Sequence, residues 1–354
     1  MSVYVIAEAG VNHNGDIELA HRLVDAAADV GADAVKFQTF VPELLASRHA
    51  AKADYQQRNQ PDQDNQLQML HKLALGFDDH HELIAHCAER GIEFLSSPFD
   101  HVSAAFLIDT LQLPRIKLGS GELTNGPLLW KLAKSGRELI LSTGMATLSE
   151  VREALGLISH AVKTDGDTPT TDDFAACLDP SFLRDRVSLM HCTTEYPCPL
   201  DQVNLRAMDN LRNSFGLPVG YSDHTAGINV SLAAVARGAR IIEKHFTLDR
   251  TLPGPDHLAS LEPGELSELV SGIRQIEQAL GSYNKQPTEA ELKNAQIARK
   301  SLCADREIKQ GETFTHRNLC AKRPGSGISP MRYWSTLGKV AERDYAEDEV
   351  IDPS

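Results

Sequence analysis

One phrase recurs along roughly the first 280 residues: an amphipathic helix, a glycine, an apolar run of four to six residues, then an abrupt change to polar residues. VGADAVKFQT, RGIEFLSS, SGRELILST and RGARIIEKH are its plainest instances. Gly31, Gly91, Gly136 and Gly238 stand where a helix end takes the left-handed conformation that glycine adopts cheaply. Ahead of the first of them, apolar residues at 17, 20, 24 and 27 mark one face of a helix from Ile17 to Val30, with Asp16 as its N-cap. Eight apolar runs read as strands, beginning at residues 3, 34, 93, 115, 138, 187, 218 and 240. Strands alternating with helices imply a parallel sheet, and eight of them over this length predict a (β/α)8 TIM barrel, typically about 250 residues. A doubly wound open sheet is the rival. Two polar segments, 52–66 and 164–185, have the length of loops over a site or at the barrel's edge.

The pattern changes after residue 283. Residues 284–298 are polar and read as a linker between a barrel over 1–283 and a small, mostly β domain over 299–354, where turn signals such as IKQGE, RPGSG and AEDE separate short segments. So short a module has little room for a core and is expected to dock on something.

Composition narrows the partners. The 354 residues carry a formal net charge of −14, with 49 acidic against 35 basic residues and no basic run, which argues against nucleic acid. No run of 18 apolar residues exists, and MSVYVIAEAGVNHNG lacks the basic start and long apolar segment of a secretory signal, so a cytoplasmic protein without a membrane partner is expected. The six cysteines form no CxxC pair and suit reduced thiols. Against such a negative background, an anionic ligand needs lysines at special positions.

In a barrel the C-terminal ends of the strands face the active-site mouth. Those ends carry Glu8, Lys36, Gln38, Ser96, Ser97, Lys117, Ser120, Glu122, Ser142, Thr143, His191, Thr194, Tyr196, Ser222, Asp223, His224, Glu243 and His245. His224 and His245 end consecutive strands, close enough to share Mn²⁺, Fe²⁺, Co²⁺ or Zn²⁺, although a histidine there is commonly a hydrogen-bonded structural residue. Lys36 and Lys117, with serines around them, would form a phosphate or carboxylate site. Competing readings pair each lysine with Glu8 or Glu122, or give one of them a Schiff base as in class I aldolases. GSGE at 119–122 is a weak nucleotide signature, Cys192 and Cys198 receive no role, and the PGPD turn sets Asp256 over the mouth. In IIEKHFT, Glu243 shares a face with His245 and can orient a neighbouring donor, while Lys244 points towards the helices, to snorkel or pair.

EAGVNHNG, VKFQTF, SSPFD, KLGSGEL, LSTGMAT, HCTTEYP, YSDHT, EKHFT, GPDH and KRPGSGISP, in this order, closely resemble the sialic acid synthases of bacterial nonulosonic acid biosynthesis, from about residue 3 to 350 with 164–185 unmatched. The resemblance implies a barrel joined to an antifreeze-like (SAF, β-clip) domain, in a homodimer where each small domain covers the partner's active site. It implies condensation of phosphoenolpyruvate with an N-acetylated hexosamine, and release of phosphate. It makes His224 and His245 ligands of a divalent metal, Mn²⁺ first, with Mg²⁺ or Co²⁺ as alternatives. Lys36, Ser97, Lys117, Ser120, Ser142, Thr194 and Ser222 would hold phosphoenolpyruvate, although some relatives carry asparagine at the position of Thr194. Gln38, Asn59, Glu122, Tyr196 and Asp256 would contact the sugar, and Arg323 its acetamido group from the other subunit. Glu122, Glu8 and Lys117 are the catalytic candidates, with Glu122 expected to deprotonate the attacking water. N-acetylmannosamine, giving N-acetylneuraminate, is the expected acceptor, and 2,4-diacetamido-2,4,6-trideoxymannose, giving N,N'-diacetyllegionaminate, is the alternative. More distant readings are a Schiff-base aldolase and a non-catalytic sugar-binding protein.

Overall fold

The computed structural model describes residues 2–53, 56–57 and 64–352, which divide into two compact units, Met1–Gly281 and Ser282–Ser354. In the first, all eight anticipated strands are present: β1 (Tyr4–Gly10), β2 (Ala34–Thr39), β3 (Glu93–Pro98), β4 (Arg115–Leu118), β5 (Glu138–Ser142), β6 (Val187–Cys192), β7 (Val219–Asp223) and β8 (Ile241–His245). They pair in the order β3-β2-β1-β8-β7-β6-β5-β4, every pairing parallel, and β3 lies against β4 to close the ring. A doubly wound sheet reverses its strand order part-way, and this one does not, so the open-sheet rival is excluded. Local signals behave as expected. The Asp16 carboxylate accepts the N–H groups of Glu18 and Leu19 at the start of the helix Ile17–Asp29, and Gly31, Gly91, Gly136 and Gly238 all have φ between +69° and +89°.

The barrel interior is layered by the two-residue repeat of a strand. Ile6, Ala34, Leu95, Ile140, Met190 and Ile241 form a buried apolar plug. Two positions on from each, on the same face and one layer nearer the C-terminal end, stand Glu8, Lys36, Ser97, Ser142, Cys192 and Glu243. The plug therefore forms the base on which a polar floor rests.

The two polar segments lie at opposite ends. The described residues of the first segment, 52–53, 56–57 and 64–66, follow β2 and belong to the mouth, where the helix Gln66–Leu73 begins with a reciprocal cap between Asn65 and Gln68. Residues 164–185 join the helix Leu148–Lys163 to β6 and so belong to the opposite end. There Trp130 Nε1 donates to the Asp167 carbonyl at 2.7 Å and Phe174 packs on the outer core. Gly156 is what lets this segment close, since a Cβ on it would overlap the Phe174 carbonyl oxygen. Gly156→Ala is expected to cost about 1–3 kcal/mol by overpacking. Limited proteolysis should then cut within 164–185 first, and a variant as resistant as wild type would refute the contact's importance.

In the second unit, β9 (Ser301–Ala304) pairs antiparallel with β10 (Leu319–Lys322), and isolated bridges join Cys303 to Val350, Ile308 to Tyr345 and Thr313 to Val340. Contrary to the coreless module expected, Leu302, Ala304, Ile308, Phe314, Leu319, Ala341, Tyr345 and Ile351 bury one another. The stretch read as a linker contains the helix Glu289–Ala298, capped by Thr288. It belongs to this unit, because Gly325 N–H donates to the Gln296 carbonyl at 2.9 Å and Arg323 Nε to the Ala298 carbonyl at 3.1 Å.

Candidate active site

A cavity of about 320 Å³ opens at the C-terminal mouth of the barrel. Of the residues singled out from the sequence, Glu8, Lys36, Gln38, Ser97, Lys117, Ser120, Glu122, Ser142, Tyr196, Ser222, His224, Glu243, His245 and Asp256 line it. Thr194 is exposed and outside the lining, Arg323 is exposed in the second unit, and Asn59 falls outside the described residues. His191 turns aside to bond the Val203 carbonyl at 2.7 Å. Cys192, given no role from sequence, does line the cavity, its Sγ accepting the Gly144 N–H at 3.2 Å. Leu45, Gln56, Gln66, Leu70 and Phe99 were also missed, because they come from the segments that follow the strands rather than from the strands themselves.

The floor is a network of buried charges. Lys36 Nζ lies 2.7 Å from Glu8 Oε2, 3.7 Å from Glu243 Oε2 and 3.2 Å from Ser97 Oγ. Lys117 Nζ donates to Glu243 Oε1 at 3.2 Å and to Ser142 Oγ at 2.9 Å, and Ser222 Oγ donates to Glu243 at 2.7 Å. Both lysines are thus paired, as the competing reading held: Lys36 meets Glu8, one of the two carboxylates named there, and Glu243 rather than Glu122 bridges the two lysines. Glu122 instead accepts from Asn125 Nδ2 at 2.7 Å at the rim. Burial disfavours an ionised Glu243, and Lys117 and Lys36 more than offset it, holding that carboxyl well below its usual range. For Glu8 burial wins over Lys36 and pushes the carboxyl up to about 7. Near neutral pH, Glu8 is therefore the floor carboxyl poised to take up a proton, while Glu243 stays ionised.

Register places Glu8 beside both Lys36 and His245, and Ser222 beside Glu243. Gly10, at φ +55°, keeps the space open, since a Cβ there would lie 3.3 Å from Glu8 Oε1 and 3.4 Å from the His245 ring. Tyr196 stacks on His224 with ring centroids 4.1 Å apart, and the two imidazole centroids are 5.5 Å apart.

The pair fits a divalent cation. Burial lowers His224 to about 4 and His245 well below its usual value, so both imidazoles are neutral. His224 Nδ1 donates to the Thr193 carbonyl at 2.6 Å, which leaves the lone pair on Nε2, and His245 Nδ1 is buried with no hydrogen-bond partner. Among the described residues no cluster of three or more His, Cys, Asp or Glu is arranged for a metal, so other ligands would have to be water or substrate. Asp256 also faces this cavity, and burial pushes its carboxyl up to about 6.

Two charged residues at the strand ends face away from the mouth. Asp223 points outward and accepts from Thr225 N–H at 2.8 Å, from Ser231 Oγ at 2.6 Å and from Lys244 Nζ, 3.3 Å away. Lys244 is buried against it and also bonds the Thr225 carbonyl, so of its two expected fates it pairs and does not snorkel.

A polar cavity at the C-terminal mouth of a (β/α)8 barrel, floored by buried lysines and glutamates beside two neutral imidazoles, defines a barrel enzyme. The chain belongs to the NeuB family, whose model matches residues 23–285, and it carries a SAF domain over residues 299–354. It is 50% identical over 98% of both chains to the N,N'-diacetyllegionaminic acid synthase of Campylobacter jejuni, and 44% identical to that of Legionella pneumophila, over 96% of this chain and 90% of the relative. Among solved structures it resembles the N-acetylneuraminic acid (sialic acid) synthetase of Leptospira borgpetersenii, with a TM-score of 0.68 and 32% identity over 83% of this chain and 90% of the other. Among the described residues no helix is long and apolar enough to cross a membrane.

Proposed function

We propose that this protein condenses phosphoenolpyruvate with 2,4-diacetamido-2,4,6-trideoxymannose to give N,N'-diacetyllegionaminate and phosphate. The observation that carries the chemistry is the floor, where two lysines share the Glu243 carboxylate next to two neutral imidazoles. The acceptor follows from full-length identities of 50% and 44% to synthases named for that product, against 32% to the neuraminate enzyme. The N-acetylmannosamine expectation gives way to its alternative on that ground.

Lys36 and Lys117, with Ser97, Ser120, Ser142 and Ser222, hold the phosphate and carboxylate of phosphoenolpyruvate; Gln38, Tyr196 and Asp256 hold the sugar. His224 and His245 would hold a divalent metal, Mn²⁺ foremost, which supplies Lewis-acid polarisation of the sugar's aldehyde oxygen. C3 of phosphoenolpyruvate bonds to the aldehyde carbon, whose oxygen takes up a proton to become a hydroxyl; water adds at C2, and the C2–O bond to phosphate then breaks as the new C2 hydroxyl loses its proton to leave a ketone. Glu122 takes the proton from that water. Glu122→Gln is accordingly expected to bind phosphoenolpyruvate normally in calorimetry while kcat falls by about 10²–10⁴, the usual contribution of a general base. An unchanged kcat removes Glu122 from the role.

We further assign a homodimer in which Arg323 serves the partner's sugar site. Arg323→Ala and His245→Ala chains, each inactive alone, should regain phosphate release when unfolded and refolded together, because mixed dimers contain one intact composite site. No recovery in a mixture shown to contain heterodimers rules the arrangement out.

The function itself is tested by phosphate release from phosphoenolpyruvate with Mn²⁺, comparing the diacetamido sugar with N-acetylmannosamine. Faster release with N-acetylmannosamine moves the protein to sialic acid synthesis, and no release with either sugar overturns the condensation.

A further inference from the structure

Resting on that condensation, we infer that Leu45, Leu70 and Phe99 form the pocket for carbon 6 of the acceptor and make the enzyme select a 6-deoxy sugar. The cavity is two-sided. Its floor is ionic, whereas these three side chains make one wall apolar. Leu45 ends the helix Pro42–Leu45, Leu70 lies in the helix Gln66–Leu73, and Phe99 directly follows β3. All three come after the ends of β2 or β3, so they stand above the floor. In ring order one to three strands separate β2 and β3 from β8 and β7, which carry His245 and lead to His224.

The wall is a fixed surface. Leu45, Leu70 and Phe99 back onto Val11, Phe40 and Met69 in a separate apolar cluster. The Phe99 ring meets Phe40 edge-on at 6.4 Å between centroids, and a Cβ on Gly119 would come within 3.4 Å of it. Leu70 is only 8% exposed, so the surface it offers the cavity cannot swing away without opening this cluster.

Chemistry fixes which end of the sugar meets the wall. The aldehyde carbon must lie at the floor, where phosphoenolpyruvate is held and the imidazoles converge. The open chain then runs outward, and carbon 6 is its last atom. The three side chains offer neither donor nor acceptor, so a methyl group gains burial there while a hydroxymethyl group gives up water without replacement. Gln56 and Gln66 line the same cavity and offer amides to an acetamido group at carbon 4, two carbons back along the chain. Apolar pockets discriminate groups of this size by about 10–100-fold.

The test uses two diacetamido sugars that differ only at carbon 6, 2,4-diacetamido-2,4,6-trideoxymannose and its 6-hydroxy counterpart. Phosphate release is measured for wild type, Leu70→Gln and Leu45→Asn. Wild type should favour the 6-deoxy sugar by about 10–100-fold in kcat/KM, and the ratio should shrink about tenfold or more in each variant that keeps a cooperative thermal transition. Equal kcat/KM in wild type overturns the pocket and leaves the condensation standing. An unchanged ratio in both folded variants overturns the assignment to these residues. Absence of phosphate release with either sugar overturns the condensation and this inference with it.

Discussion

Replacing His245 with alanine is expected to lower phosphate release from phosphoenolpyruvate by on the order of 10³-fold or more and to leave the barrel folded. The size follows from the several kcal/mol that Lewis-acid stabilisation of a developing charge supplies, at about 1.4 kcal/mol per decade of rate. Tolerance follows from position. His245 Nδ1 is buried without a protein partner, so its removal relieves an unpaired polar atom and strands no other group. Calorimetry with Mn²⁺ gives a readout independent of turnover, with one site per chain in wild type and none in His245→Ala. A variant that still binds Mn²⁺ and turns over normally would exclude the imidazole pair as ligands. The Schiff-base aldolase makes the opposite forecast, since borohydride with phosphoenolpyruvate and sugar should then fix label on a lysine after metal removal. Lys36 and Lys117 argue against it, because each already faces a carboxylate that favours the charged ammonium over the free amine a Schiff base needs.

What could be read from the sequence is set by distance along the chain. Each strand announced itself through an apolar run, four of them just after a helix-ending glycine, and the polar layer through its two-residue offset from that run. Ile6 with Glu8, Leu95 with Ser97 and Ile241 with Glu243 are such local relations. The choice between faces was less legible at a strand's last residue. Asp223 and His224 are adjacent, and only the register with Lys244 shows that the aspartate turns outward. Pairings across the barrel left no local trace. Glu243 and Lys117 are 126 positions apart, and nothing near either residue says that one carboxylate bridges both lysines. The apolar wall stayed hidden for a related reason. Leu45 and Leu70 belong to short helices between β2 and β3, where an exposed leucine and a pocket leucine look alike until the cavity is formed.

Glu243→Ala should produce the largest loss of stability of any change in the floor, about 3–5 kcal/mol, the usual result of deleting one partner of a buried ion pair. At about 2–4 °C per kcal/mol for a domain near this size, the melting temperature should fall by roughly 10 °C. Glu243 is the hub. Without it Lys117 keeps Ser142 on the floor, and Lys36 keeps Ser97 and Glu8, the carboxyl that burial already pushes up to about 7. Since the lysines hold the Glu243 carboxyl below its ordinary value, its stabilising effect in wild type is present above the unfolded pKa of about 4.3 and fades as pH falls through that value towards the folded one. Titrating wild type between pH 7 and 5 should therefore not reproduce the variant's loss. A bound trianion offers the stranded ammonium groups the charge they lack, so phosphoenolpyruvate should raise the melting temperature of Glu243→Ala more than that of wild type. A variant that melts within about 2 °C of wild type would mean that water or a shift of Glu8 neutralises the lysines. A smaller ligand shift in the variant than in wild type would mean that Glu243, beyond holding the lysines apart, sets the geometry in which they grip the phosphate and carboxylate.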